Sequence, residues 1–211
     1  MSKYFVFEGC DYTGKTTIAN AFVDYLHKRD IKAIYTKEPG SPYSVICQKI
    51  RTLILDNADE IKNPDTFSYL FAADSYEHMR SVVFENMQQD IVVVSDRSML
   101  SDYAYRPVLK YHKIRDNNLD YFRKLDPIVI LLESSERAIL RRYHKRNDTN
   151  LFEAHYVLDN IKKISDEYNY MLKHDSKNLK LNQVIDIQNE EDVLDFDELF
   201  DNLIRLIWYV F

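Results

Sequence analysis

Glycine is nearly absent from this chain: 211 residues carry three, Gly9, Gly14 and Gly40, where usage of ~7% would give about fifteen. All three fall in two short stretches near the N-terminus, so those stretches need backbone conformations that other residues avoid. Cysteine is as scarce. Cys10 and Cys47 supply no disulfide framework, which excludes a small disulfide-stapled secreted scaffold. No run approaches the ~18 uncharged apolar residues of a membrane span. The opening MSKYFVFEG lacks the charged, apolar and small-residue succession of a signal peptide. The expectation is a cytoplasmic protein with no membrane partner. An excess of positive charge is missing too: 28 Lys and Arg stand against 34 Asp and Glu, a formal charge of −6. That argues against duplex DNA as a partner, whose phosphates demand a concentrated basic surface. Small anions need only a few placed cations.

What is present fits one α/β domain covering residues 1–211. Short apolar runs at 4–8 (YFVFE), 31–37, 91–95 (IVVVS), 128–133 (IVILLE) and 184–187 (VIDI) read as strands. Helical spacing or composition marks 15–29, 43–55, 64–89, the stretch after Ser98 with a kink point at Pro107, 135–145, about 152–173, and most of 190–211. The strand runs are continuously apolar rather than alternating, which predicts a parallel sheet of about five strands covered by helices on both faces. Ligands of such sheets bind at the carboxyl ends of the strands. The polar gap RNDTN at 146–150 lies between two helices and reads as a mobile flap, a small lid at about 141–153.

Two of the glycines frame Gly9-Cys10-Asp11-Tyr12-Thr13-Gly14-Lys15-Thr16, which satisfies GxxxxGK[ST]. It directly follows a strand and opens a helix, the context that the motif demands. The loop's N–H groups can curl around phosphate oxygens, and the helix N-terminus adds partial positive charge. Gly9 through Thr16, with Thr17 after them, are therefore the candidate ATP cradle. Lys15, expected to be exposed at the helix start, is placed to reach the β- and γ-phosphates, and Thr16 to hold Mg²⁺. Asp96 ends IVVVS, where a P-loop protein holds its metal-organising carboxylate, and Arg97 follows it into the same crevice. The fold class is thus a P-loop NTPase-like three-layer α/β domain.

Around these residues the chain resembles the thymidylate kinase family from residue 4 to about residue 172. The resemblance is carried by FEGCDYTGKTT (7–17), TKEPG (36–40), IRTLIL (50–55), LFAADS (70–75), DRSMLSDYAY (96–105), IVILLESSERAILRR (128–142) and NLFE (150–153). It implies ATP-dependent phosphorylation of a deoxynucleoside monophosphate by a homodimer formed through helices. It also implies roles. Asp11 would sit near the acceptor phosphate and the metal, and Arg51 and Arg97 would hold that phosphate. Phe71 would stack on the base, with Ser101 and Tyr105 lining the base and sugar pocket. Tyr12 stands where some members carry a P-loop arginine, so the catalytic charge is assigned to the basic lid, chiefly Arg142 and Arg146.

Four positions depart from the family pattern: Ser75, where the family arginine contacts the thymine carbonyl, Ser98, Leu151, and Asp102 in place of an uncharged residue. Losing an arginine donor and gaining a carboxylate changes what a base edge must offer, so the acceptor is dTMP or a related deoxynucleotide, with a broader or shifted range. His78, one helical turn beyond Ser75, is a candidate replacement donor. Glu38 lines the acceptor side, and is also the candidate general base of a competing reading, a deoxynucleoside kinase. A kinase of a modified base in DNA and an inactive nucleotide-binding switch are the further alternatives.

Overall fold

The computed structural model describes residues 3–109, 118–146, 158–174, 179, 181, 183–190 and 195–208. Five strands are assigned: β1 (Tyr4–Glu8), β2 (Ala33–Lys37), β3 (Val92–Asp96), β4 (Ile128–Glu133) and β5 (Gln183–Gln188). They form one sheet in the order β2-β3-β1-β4-β5, with every pairing parallel. Helices alternate with them: α1 (Lys15–His27), α2 (Val45–Leu55), α3 (Asp65–His78), α4 (Glu85–Gln88), α5 (Met99–Leu109), α6 (Leu119–Lys124), α7 (Glu136–Arg146), α8 (Ile161–Asn169) and α9 (Phe196–Trp208).

Side chains alternate across each strand, and here both faces are covered. From β1, Tyr4 and Val6 enter a core shared with Ile50 and Ile54 of α2, Leu100 of α5 and Ile164 of α8. Phe5 and Phe7 enter the opposite core with Ile18 and Phe22 of α1 and Phe200 of α9. This explains why the strands read as unbroken apolar runs. The C-terminal helix is a docking element: Phe200 packs at 5.0 Å from Phe22 and 5.3 Å from Tyr25. Burial of each such ring contributes roughly 2–3 kcal/mol before chain entropy is counted.

Some element boundaries differ from those that the sequence pattern predicts. α2 begins at Val45 rather than Tyr43, because Ser44 is extended and its Oγ accepts the N–H of Cys47 at 3.3 Å, a side-chain cap. The helix expected over 64–89 is interrupted by a π-helical turn at Met79–Phe84, a widening that no residue pattern announces. α6 and the 3₁₀ turn Ala58–Glu60 are additional elements. The helix expected from about 152 is present from Ile161, and a second π-helical turn, Tyr170–His174, continues it. The flap residues 147–150, the NLFE motif with Leu151, and the helix start at 152–157 lie outside the described residues.

The sheet order places the site. β1 lies between β3 and β4, with Phe7 in register with Asp96 on one side and Ile130 on the other. The loop leaving β1 therefore opens onto the carboxyl ends of both neighbours, where α/β sheets bind ligands.

Candidate active site

The cradle begins at Gly9, whose φ is +140° and whose missing Cβ would lie 2.3 Å from the carbonyl oxygen of Leu132 at the end of β4. Only glycine lets the loop pass this close to the neighbouring strand. At the loop's far end α1 starts with no side-chain cap and no acidic residue in its first turn. Its N–H groups and partial positive charge are thus available to an anion. Thr16 and Thr17 are exposed on that first turn. The Thr16 hydroxyl donates to Oδ2 of Asp96, which also accepts from Tyr35 at 3.3 Å. A hydroxyl and a carboxylate converging at the mouth of a phosphate cradle are the hard oxygen donors that Mg²⁺ takes when it shares its shell with phosphates.

Lys15 is buried, at 5% exposure, contrary to its expected position at an open helix start. Its Nζ donates to the carbonyl oxygen of Cys10 at 2.6 Å, curling back over the loop. Burial, followed by the nearby Arg97, depresses its pKa. A ligand that adds negative charge beside it would reverse that pressure. Cys10 points into the core, and burial pushes its thiol up to about 12. It therefore fills space and is not a reactive thiolate.

Arg97 sits at φ +73°, a left-handed conformation for a non-glycine residue. Its backbone N–H is held by the carbonyl of Phe7 at 2.9 Å. This turns the guanidinium back under the cradle. Nη1 donates to Gly9 O, Ser101 Oγ and Tyr168 OH, each at 3.1 Å. Nη2 forms an ion pair with Asp11 and donates to Tyr105 OH at 2.9 Å. Tyr105 in turn donates to Asp11 at 2.7 Å. Burial opposes ionisation of Asp11, but Arg97 and Lys15 outweigh it and hold the carboxyl below its usual range. Asp11, Arg97, Ser101 and Tyr105, four of the sequence-predicted residues, thus form one connected cluster with Lys15 beside it.

A second cluster lies beneath the EPG loop. Gly40, at φ +87°, leaves room for Arg51, whose Cδ would otherwise be 2.5 Å from a Cβ. Arg51 Nη1 donates to Pro39 O at 2.9 Å, so this arginine braces the loop that follows β2. Glu38 is buried and accepts from Ser75 Oγ at 2.7 Å. Its other oxygen shares a 2.5 Å hydrogen bond with Nδ1 of His78. His78 is fully buried, and its Nε2 lies 2.9 Å from Thr36 Oγ1. The expectation that His78 replaces the missing arginine at a base edge is therefore corrected: both ring nitrogens serve Glu38 and Thr36. Asp74, one residue before Ser75, accepts from the Gly40 N–H at 3.1 Å. Its second oxygen is buried without a partner among the described residues. Phe71, a turn earlier on α3, is half-buried.

On the other flank, Arg142 extends along the P-loop. Its Nη1 donates to Tyr12 O at 3.2 Å and Ser134 Oγ at 2.9 Å, and its Nη2 to Asn189 O at 2.9 Å. The Tyr12 ring meets Tyr143 edge-on at 5.4 Å. Asn189, just past β5, donates to Thr13 O at 2.7 Å and so closes the loop from beyond the sheet. Arg146 ends α7. Asp102 pairs with Arg106 one turn along α5 at 3.3 Å, so its charge is already balanced. Sequence reasoning passed over Glu8, Tyr168, Asn189 and Tyr35. Only Glu8 carried a signal, a charged residue closing an otherwise apolar buried strand.

A P-loop with its lysine, a Thr16–Asp96 oxygen pair, and a second cation at Arg97 beneath the same cradle define a nucleotide-binding phosphotransferase. Comparison with known proteins narrows this. The thymidylate kinase family model matches residues 7–193. The chain is 30% identical to the thymidylate kinase of Brachyspira hyodysenteriae, over 93% of this chain and 98% of that protein. It is 26% identical to the thymidylate kinase of Mycoplasma capricolum over 97% and 93% of the two chains. For that of Mycoplasma pneumoniae the figure is 32% over 79% and 77%. The chain belongs to the thymidylate kinase family.

Proposed function

We propose that this protein transfers the γ-phosphoryl group of ATP, with Mg²⁺, to the 5′-phosphate of dTMP or a related deoxynucleoside monophosphate. The carrying observation is the pair of cations set on one loop: Lys15 from α1 and Arg97 from the end of β3, with Asp11 joined to Arg97. A binding switch needs the first cation for its nucleotide; a transferase also needs the second, because two anions must be brought into line. In this reading Lys15 and the loop N–H groups hold the donor phosphates. Thr16 and Asp96 hold the metal, which when bound neutralises charge on the transferring group. Arg97 and Arg51 hold the acceptor phosphate, Asp11 orients Arg97, and Phe71, Ser101 and Tyr105 line the nucleoside side. Arg142 acts on the donor side by bracing the loop carbonyl of Tyr12, while Arg146 leads into the lid and carries its charge. The single domain with a lid at about 141–153 belongs to the same reading.

Glu38 is satisfied by Ser75 and the His78 ring inside the fold, which favours a structural carboxylate over the general base of a nucleoside kinase. Ser75 gives its one hydroxyl hydrogen to Glu38, leaving only lone pairs for anything beyond it. That supports an acceptor range wider than dTMP alone. A homodimer is supported by apolar side chains left exposed on two adjoining helices: Val45, Ile46 and Leu53 on α2, and Tyr69 and Tyr76 on α3. A cytoplasmic location is consistent with the described helices, none of which is long and apolar enough to cross a membrane.

The test is ATP consumption across all deoxynucleosides and their monophosphates, including modified pyrimidines. Turnover with a monophosphate is the expected result. Turnover with nucleosides alone, or with no acceptor, overturns the proposal.

A further inference from the structure

Behind Arg97 the crevice wall holds a second carboxylate. Glu8 closes β1 and is fully buried. An ionised group in that position is unfavourable unless hydrogen bonds compensate it. Four do. Oε1 accepts from the Ser98 N–H at 2.8 Å and Ser98 Oγ at 2.7 Å. Oε2 accepts from Ser101 Oγ at 2.7 Å and Tyr168 OH at 3.0 Å. These last two hydroxyls are the ones that Arg97 Nη1 reaches.

A hydroxyl has one hydrogen and two lone pairs. The two hydroxyls also lie 2.7 Å from each other, so Glu8 draws their hydrogens directly or one through the other, and in either arrangement both turn lone pairs toward the guanidinium. Arg97 is then tied to carboxylates along both edges: to Asp11 directly through Nη2, and to Glu8 through one layer of hydroxyls at Nη1. The parts come from β1, α5 and α8, so only the tertiary fold assembles them.

We propose that Glu8 is a positioning residue for acceptor-phosphate binding: by drawing the Ser101 and Tyr168 hydroxyl hydrogens to itself it fixes the Nη1 edge of Arg97 and, with Asp11 and Tyr105 on Nη2, sets the orientation in which the guanidinium meets the acceptor phosphate. This rests on the assignment of Arg97 to the acceptor. Ser98, which stands where the family pattern has tyrosine, is part of the same device, because its N–H and hydroxyl hold the far oxygen of Glu8. Glu8 touches no substrate. Its effect is confined to the phosphate, since Arg97 recognises charge and not the base.

Glu8→Gln tests this. The amide keeps the side chain's shape but replaces one acceptor oxygen with a donor. Placed toward Ser101 and Tyr168, that donor turns their hydrogens toward Arg97; placed the other way, it meets the Ser98 N–H. Tyr168→Phe removes one oxygen only and carries the test if Glu8→Gln does not fold. Binding of the phosphorylated monophosphate and of the matching nucleoside, which lacks the phosphate, is measured by calorimetry on wild type, both variants and Arg97→Ala. The monophosphate affinity should fall about tenfold or more in Glu8→Gln, and less in Tyr168→Phe. Nucleoside affinity and the KM for ATP should hold. A merely structural role would weaken nucleoside and nucleotide alike, and that result overturns the inference. So does wild-type monophosphate binding by Glu8→Gln beside a crippled Arg97→Ala. Wild-type binding by Arg97→Ala removes the acceptor reading, and this inference with it.

Discussion

Asp74 should make the protein less stable as the pH rises through neutrality, and Asp74→Asn should remove that dependence. The carboxyl is buried at 1% exposure, with one oxygen on the Gly40 N–H and the other without a partner among the described residues. Burial, and then the negative charge of Glu38, raise its pKa to about 7. In the unfolded chain it returns to about 3.9. Between those values the native state holds a proton that the unfolded state has released, so stability declines with pH. The contribution is complete below the unfolded pKa and is lost once the pH has passed the folded one. At about 1.4 kcal/mol per pH unit, the interval from pH 5 to pH 7 corresponds to a loss of about 3 kcal/mol. Asparagine keeps the shape and the acceptor for Gly40 but has no proton to lose. Urea unfolding of both proteins at pH 5, 6, 7 and 8 should show the wild type falling relative to the variant by about that amount. Parallel stability curves would refute the buried, protonated carboxyl. Because Asp74 anchors the EPG loop that Arg51 also holds, acceptor KM should follow the same pH course in the wild type.

Lys15→Ala should reduce kcat by about a hundredfold or more through loss of phosphate neutralisation. Its thermal midpoint should hold, since Lys15 lies buried beside Arg97; near-normal turnover would remove the P-loop assignment. Arg97→Ala should raise acceptor KM and lower kcat together. It should also destabilise the fold by roughly 3 kcal/mol, because Asp11 loses its directly bonded counter-charge and keeps only Lys15 nearby; a change confined to ATP affinity would place Arg97 on the donor side. Ser75→Arg should move kcat/KM toward dTMP relative to other monophosphates by restoring a charged donor. A wild type that already prefers dTMP by more than about a hundredfold would sink the broader acceptor range.

The fold was legible because two local signals agreed. Continuous apolar runs in 4–8, 91–95 and 128–133 mean strands covered on both faces, and the glycine-framed loop after the first of them admits few architectures. Element ends were less legible. The cap at Ser44 and the π-helical turn at Met79–Phe84 depend on hydrogen-bond choices within a turn or two, which hydrophobic period does not register. Of the site, the cradle and the Asp96–Arg97 step could be read directly, since each is a short contiguous motif with its own physical logic. Asp102 and His78 were read as groups facing a base edge. Asp102 is paired with Arg106, and His78 is enclosed by Glu38 and Thr36.

By itself the sequence determined a parallel α/β sheet and a phosphate cradle, and it set Asp96 and Arg97 at the end of a buried strand, because each of these is written in a short contiguous stretch. Tertiary structure alone decided which groups neutralise which. Glu8, Tyr168, Asn189 and Asp74 acquire their roles from partners 34 to 176 positions away along the chain. A buried charge is governed by the atoms within a few ångströms of it, and sequence distance carries no information about those atoms. That is why the same reading could place Lys15 in its motif and yet mistake a buried, curled-back side chain for an exposed one.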